Sequence, residues 1–224
     1  MPQPDLDPRA DAVASEQFSP SAASVPAEAA AVRRGRGRRP SEEVRSEILA
    51  AAGRLLMTEG MAGFTIERVA ALAGASKVTI YKWWSSKGVL ALEGYAATVA
   101  DVLAMPDTGD VEADLTTQLL TYVHLLRDTP AGRVTAELLG AAQTDPDLLA
   151  VFHRSYAGPR RAAGLATLRT AGDRGQLRRD LDLEAVVDQL WGACLYRLLM
   201  GHQPLTDEFA RHLVTNLIDG LRPV

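Results

Sequence analysis

Residues 64–87 decide the fold of this chain, and they read FTIERVAALAGASKVTIYKWWSSK. Thr65, Ser76 and Ser86 each stand where a hydroxyl oxygen can accept a hydrogen bond from an unpaired amide at a helix start. The stretch therefore predicts two short helices followed by the beginning of another. Gly74 falls between the two short helices, where its freedom to take positive φ permits a tight turn.

A longer helix is predicted before this pair, from an N-cap at Ser41 to Gly60, whose left-handed conformation ends it. Its apolar residues recur at helical spacing and form one face. They are Val44, Ile48, Ala52, Leu55 and Leu56. Two short helices joined by a glycine-containing turn, with a longer helix before them, make a helix-turn-helix.

The remainder of the chain is also predicted to be helical. Apolar residues recur at helical spacing, only 5% of residues are aromatic, and alternating Val/Ile/Thr runs are missing. Further helices are expected from a Ser86 cap towards Leu103, over 111–128, over 131–142, from Pro146 to Ala171, from an Asp182 cap to Met200, and from a Thr206 cap to Leu221. The helix that begins at Pro146 is expected to be interrupted at Gly158-Pro159 and to be ended by Gly172 and Gly175. The expected fold class is all-α.

Composition excludes several classes of protein. The 224 residues are 47% hydrophobic, which is ordinary globular composition. Cys194 is the one cysteine, so a disulfide framework and a multi-cysteine metal site are excluded, and a reducing, cytoplasmic location is expected. No apolar run is long enough to span a bilayer, and the N-terminus lacks a signal-peptide pattern.

Charge is unevenly distributed along the chain. Residues 1–32 carry a net charge of −4, residues 33–87 carry +6, and residues 88–224 carry −6. A basic segment between two acidic ones indicates that residues 33–87 bind a polyanion such as DNA. The acidic remainder of the chain, residues 88–224, is not expected to bind it.

The N-terminal segment divides into two parts. Residues 1–32 are rich in Ala, Pro and Ser and are expected to be a disordered tail. Residues 33–40 read RRGRGRRP, and their glycine spacing does not complete a dinucleotide-binding fingerprint. They are either a solvated basic linker or an arm that lies along DNA, since arginine favours a narrow minor groove. The adjacent helix-turn-helix favours the arm.

The region from residue 42 to 103 resembles the TetR-type transcriptional regulators. The shared features are Gly60, Thr65 opening a helix, a small-Gly-small-Ser turn over 73–76, Tyr81, an aromatic at Trp84, and Lys87 starting the fourth helix. The resemblance implies an N-terminal three-helix DNA-binding domain over 41–87. It also implies a C-terminal helical bundle over 88–224 for ligand binding and dimerisation.

The third helix would enter the major groove with its N-terminal residues near the base edges. The resemblance implies that Tyr81 and Lys87 contact phosphates, while Lys77 can reach guanine acceptors and Val78 a thymine methyl. Tyr81 could instead be a core residue, but Trp84 competes for the same thin core. The complete DNA-binding set is Arg36, Arg38, Arg39, Thr65, Ser76, Lys77, Val78, Thr79, Tyr81, Lys82 and Lys87.

The last two helices are more apolar than one buried face requires, and the resemblance implies that they form a homodimer. The expected dimer residues are Leu183, Val187, Leu190, Cys194, Leu198, Phe209, Leu213 and Leu217. The resemblance also implies an effector pocket in the body. Its candidate residues are Tyr122, His124, Phe152, Tyr156, Trp191 and Tyr196, each of which could equally be ordinary core.

The function expected is a sequence-specific DNA-binding regulator, a repressor that a small lipophilic effector releases from a pseudo-palindromic operator. A ligand-independent regulator and a non-specific DNA-binding protein are the alternatives. An enzyme is not expected, because the four histidines form no HExxH motif and the chain has no GxSxG elbow and no P-loop. No metal, no cofactor and no membrane partner are expected.

Overall fold

The computed structural model describes residues 40–222, which form ten α-helices, one π-helical segment and no strand. The all-α fold class is therefore confirmed for this part of the chain. The predicted tail, all of the predicted arm before Pro40, and the candidates Arg36, Arg38 and Arg39 lie outside the described residues. No helix within the described range is long and apolar enough to cross a membrane.

Four helices make up the first half of the fold. They are α1 (Ser41–Gly63), α2 (Ile66–Ala73), α3 (Lys77–Trp83) and α4 (Lys87–Val99). The second half contains α5 (Val111–Asp128), α6 (Ala131–Ala142), α7 (Pro146–Phe152), a π segment (His153–Ala157), α8 (Gly158–Asp173), α9 (Leu183–Met200) and α10 (Asp207–Leu221).

Most predicted caps are present, because capping depends on a few neighbouring residues. The Thr65, Ser76 and Ser86 hydroxyls accept hydrogen bonds from the amides of residues 68, 79 and 89. Asp182 and Thr206 cap α9 and α10 in the same way. Gly74 ends α2 with φ 60° and ψ 32°, as the predicted turn requires.

The boundaries of α1 and α4 differ from the predictions. Ser41 is the first residue of α1 rather than its cap, and Pro40 precedes it without a side-chain hydrogen bond. Gly60 has the expected positive φ of 66° and breaks the helical backbone as predicted, and a second short helical piece follows it to Gly63. Helix α4 ends at Val99 rather than near Leu103.

The Gly158-Pro159 pair does not interrupt the helical chain, contrary to the prediction. The amide of Gly158 donates to the carbonyl oxygen of His153, which is the wider spacing of a π turn. Pro159 is the second residue of α8, and because it has no N–H it donates no hydrogen bond to the preceding turn. Helix α8 extends two residues beyond the predicted Ala171, to Asp173, and Gly175 takes a positive φ of 75° just beyond its end, in line with the prediction.

Helix α4 joins the helix-turn-helix to the rest of the fold. It packs most extensively on α1, and it also touches α7 and the π segment. The crossing with α1 is close because two glycines meet there. A Cβ atom at Gly94 would lie 2.7 Å from the Cβ of Ala52, and one at Gly53 would lie 2.9 Å from the carbonyl oxygen of Gly94. Side chains at these positions would force the two helices apart.

Candidate nucleic-acid interface

Helix α3 divides sharply into a buried and an exposed side. Ile80 and, just past its end, Trp84 are 0% and 1% exposed, so they fix the helix to the core. Val78 is 82% exposed and Tyr81 is 55% exposed, the latter excluding the alternative of a core tyrosine. Lys77 and Lys82 are also exposed, and Thr79 is half-buried. The orientation predicted for this helix is thus confirmed.

Trp84 joins three helices through one carboxylate. Its indole Nε1 donates to Oε2 of Glu93 on α4 at 3.0 Å. Nη2 of Arg45 on α1 donates to the same oxygen at 2.8 Å, and the guanidinium carbon lies 5.4 Å from the centroid of the Trp84 ring. Trp83 is half-buried and meets Trp84 edge to face at 5.6 Å. These contacts fix the angle at which α3 is presented.

The remaining polar candidates border the exposed side of α3. The Thr65 hydroxyl is half-buried and accepts from the amide of Arg68 at 3.2 Å, while Ser76 is exposed and accepts from the amide of Thr79 at 3.0 Å. Lys87 is exposed at the start of α4, with Nζ 3.5 Å from the carbonyl oxygen of Met61. The Thr65 hydroxyl can still donate its proton, because capping uses only an oxygen lone pair, whereas the Ser76 hydroxyl also lies 2.8 Å from Oγ1 of Thr79.

Lys77 has an acidic partner that the sequence analysis missed. Its Nζ lies 3.1 Å from Oε1 of Glu67 on α2, and both side chains are exposed. A hydrogen bond from its own backbone and the contact with Lys77 hold the pKa of Glu67 below its ordinary value. This ion pair occupies the ammonium group of Lys77 on the exposed side of α3. The two residues are ten positions apart on different helices, so only their crossing brings them together.

Four of the six pocket candidates lie together in the body. Tyr122, Phe152, Tyr156 and Trp191 line one cavity of about 150 Å³. Arg160 also lines it and was not among the predicted residues.

The prediction that His124 and Tyr196 line the pocket needs correction, because neither lines this cavity. Nε2 of His124 lies 2.8 Å from Oδ1 of Asp207 at the surface, and Tyr196 is 59% exposed beside His202. Both side chains project from faces of α5 and α9 that do not reach the cavity.

The predicted dimer contacts of three residues also need correction, because these side chains are buried within the single chain. Val187, Leu190 and Cys194 are at most 2% exposed within the single chain, so they line its own core and no second chain can reach them. Burial raises the pKa of the Cys194 thiol to about 12, so this cysteine is kept in its unreactive form.

The last two helices also carry apolar side chains that solvent can reach, and these differ from the buried Val187, Leu190 and Cys194. Tyr196, Leu199 and Met200 are exposed at the end of α9. The other predicted dimer residues, Leu183, Leu198, Phe209, Leu213 and Leu217, are half-buried. We call Tyr196, Leu199, Met200, Leu213 and Leu217 the α9–α10 patch.

Family models match both parts of the described chain. Residues 48–94 match the model of bacterial regulatory proteins of the tetR family, and residues 105–217 match the tetracyclin repressor-like C-terminal domain. The first match covers α2, α3 and most of α1 and α4.

The matches to individual relatives extend over most of the length of each relative. The chain is 35% identical to an uncharacterized HTH-type transcriptional regulator of Bacillus subtilis, YdeS, over 84% of this chain and 94% of the relative. It is 34% identical to the DNA-binding transcriptional repressor TetR of Mycobacteroides abscessus, over 76% and 90%. The crystal structure of the TetR family transcription regulator SCO0332 is 54% identical, with a TM-score of 0.77 over 81% of this chain and 100% of the other.

Proposed function

This chain belongs to the TetR family of DNA-binding transcriptional regulators, and we propose that it is a repressor that binds a pseudo-palindromic operator as a homodimer. The observation that carries the proposal is the exposed side of α3, which presents lysine, valine and tyrosine side chains to solvent. The opposite side is anchored in the core by Ile80 and Trp84. Repression is favoured by the relative from Mycobacteroides abscessus, which carries the name of a repressor.

The proposed base contacts come from the start of α3. Lys77 would exchange Glu67 for guanine acceptors, and the exposed methyl groups of Val78 would meet a thymine methyl. Thr79 could contribute its own methyl beside them. These residues would read sequence, because they face the position that base edges occupy when such a helix enters the major groove.

The proposed phosphate contacts surround that reading surface. Tyr81 and Ser76 would donate their hydroxyl protons, and Thr65 would add a hydroxyl at the start of α2. Lys82, Lys87 and the arm arginines Arg36, Arg38 and Arg39 would add affinity that does not depend on sequence.

We propose the same division of the chain as the sequence indicates: a tail over 1–32, an arm over 33–40, a DNA-binding domain over 41–87 and a regulatory body over 88–224. A cavity that lies among α5, the π segment and α9 supports a small effector. The effector would release DNA only if it binds more tightly to a conformation unfit for the operator. The α9–α10 patch supports the homodimer, because it leaves large apolar side chains uncovered on a single chain.

Selection from a random DNA library with the full chain tests the regulator directly. We expect one enriched sequence with two inverted half-sites, bound roughly 10³-fold or more tightly than random DNA. A library that shows no enrichment would favour the non-specific DNA-binding alternative. Enrichment of a single, unrepeated half-site would contradict the dimer.

Replacing Tyr81 with phenylalanine should weaken binding to every operator variant by the same factor. The lost hydrogen bond to a charged phosphate is worth about 1.5 kcal/mol, or roughly tenfold per half-site. Fluorescence anisotropy titrations on a panel of operator variants measure this. Thr117→Val removes a hydroxyl from an exposed residue of α5, outside the α9–α10 patch, and should leave affinity unchanged. A changed ranking of the variants would show that Tyr81 reads bases.

Deleting residues 33–39 should flatten the salt dependence of operator binding. Each lost phosphate contact reduces the slope of log K against log salt concentration by about 0.9. Anisotropy titrations between low and moderate salt give the slope. The matched control deletes residues 1–32 and keeps the arginines, and its slope should equal that of the full chain. An equal slope without residues 33–39 would make this segment a passive linker.

A further inference from the structure

Arg160 stands between two cavities in the body. One cavity, of about 180 Å³, lies between α4 and α8 and is lined by apolar residues that include Val99, Leu103 and Met105. The other is the cavity of about 150 Å³ described above. Tyr156 and Arg160 line both, so their side chains form the wall that the cavities share.

Among the residues that the structure describes, the guanidinium of Arg160 lies against aromatic rings and has no acidic partner. Its central carbon lies 4.6 Å from the centroid of the Tyr122 ring and 5.1 Å from that of Tyr156. Its Nη1 atom is buried and has no hydrogen-bond partner in the part of the chain that the structure describes, and neither has the buried hydroxyl of Tyr156. An unpaired buried donor on a charged group is costly, so these atoms are prepared for an acceptor.

The neighbouring arginine shows the opposite arrangement. Arg161 forms ion pairs with Asp188 and Glu184 on α9. Asp188 also borders the smaller cavity, but its carboxylate is engaged by Arg161. The charge left without a counter-ion at the cavity wall is therefore the positive charge of Arg160.

We propose that the body binds an amphipathic anion, a carboxylate carried on an apolar chain or ring. The carboxylate would accept hydrogen bonds from Arg160 and from the Tyr156 hydroxyl, and the apolar portion would occupy the cavities on either side. A carboxylate matches the fork of a guanidinium and satisfies both unpaired donors at once. This inference rests on the proposed function only in taking the ligand to be the effector.

The position of the site connects the ligand to α4. The Tyr156 ring lies 5.5 Å from the ring of Tyr95 on α4, whose hydroxyl is 2.7 Å from that of Thr135. Drawing Arg160 and Tyr156 towards a carboxylate would join the two cavities and change the packing against α4. The same helix begins four residues after α3 ends.

Binding of three probes of equal chain length tests the charge preference. Decanoate and decylammonium below their micellar concentrations, and 1-decanol below its solubility limit, are titrated into the full chain and followed by calorimetry. We expect decanoate to bind at least tenfold more tightly than decanol, and decylammonium to bind most weakly. Arg160→Met should bring decanoate and decanol within twofold of each other, whereas Arg160→Lys should keep part of the preference.

Arg169→Met is the matched control, because Arg169 is an exposed arginine of α8 outside both cavities, and it should keep the tenfold preference. A wild-type chain that does not bind decanoate, or binds it no better than decanol, overturns the proposal. So does a preference that survives in Arg160→Met. Operator binding without any probe is measured on the same preparations. Intact operator binding with no decanoate preference overturns the anion site alone and leaves the regulator standing.

Discussion

Replacing Trp84 with alanine is expected to lower the free energy of unfolding by about 3–5 kcal/mol, the range for truncating a buried tryptophan. The side chain is 1% exposed, and its indole N–H is bound to Glu93. Its loss would also leave that carboxylate, already 17% exposed, with one donor fewer. Because Trp84 holds the end of α3, operator affinity should fall roughly 100-fold as the reading surface loses its fixed angle.

Chemical denaturation and anisotropy titration measure the two effects. Trp83→Ala is the matched control, since Trp83 has the same size and adjoins Trp84 but is only half-buried. It should lose less than half as much stability and keep most of the affinity. A Trp84→Ala chain that binds the operator as tightly as wild type would show that α3 needs no fixation from this side chain.

A double change in the α9–α10 patch, Leu199→Glu with Met200→Glu, should separate the proposed homodimer. These side chains are 49% and 62% exposed, so glutamates there leave the core of a single chain intact. Two like charges on each chain would repel those of a symmetry mate. Operator affinity should then fall by about 10² to 10⁴, because two half-sites would no longer be bound as one linked event.

Light scattering after size-exclusion chromatography gives the mass directly. Val102→Glu is the control, because Val102 is 51% exposed in the turn after α4 and lies outside the patch. This variant should keep the mass of two chains. A doubly substituted chain that also keeps that mass would place the dimer contact elsewhere.

Local signals in the sequence were sufficient for most of the fold. Thr65, Ser76 and Ser86 locate three helix starts, since a cap is determined by its own hydroxyl and the amides that follow. The outward position of Tyr81 followed from competition with Trp84 for a thin core. Gly158-Pro159 misled, because a π turn accommodates the proline without breaking the chain's helical course.

The features that sequence reasoning missed all depend on which helices touch. The pairing of Lys77 with Glu67 exists only because α2 and α3 cross. Arg160 is unpaired while Arg161 is paired, and nothing in two adjacent arginines distinguishes them before α8 is placed beside α9. The broad apolar stripe predicts that Leu190 and Cys194 contact a partner chain, yet the protomer's own core covers both. A broad apolar helix does not reveal which of its faces is covered by its own chain.

The close glycine crossing between α1 and α4 has a mechanical consequence. Gly94 lies at an interior point of α4, with Val99 at the cavity side about 7.5 Å along the axis and Lys87 about 10.5 Å along it in the other direction. If α4 turned about Gly94, a displacement at Val99 would appear at Lys87 in the opposite direction and about 1.4-fold larger. In a symmetric homodimer both copies of α4 would turn together and both copies of α3 would move. The distance between the two α3 helices would then change by twice the displacement of either one.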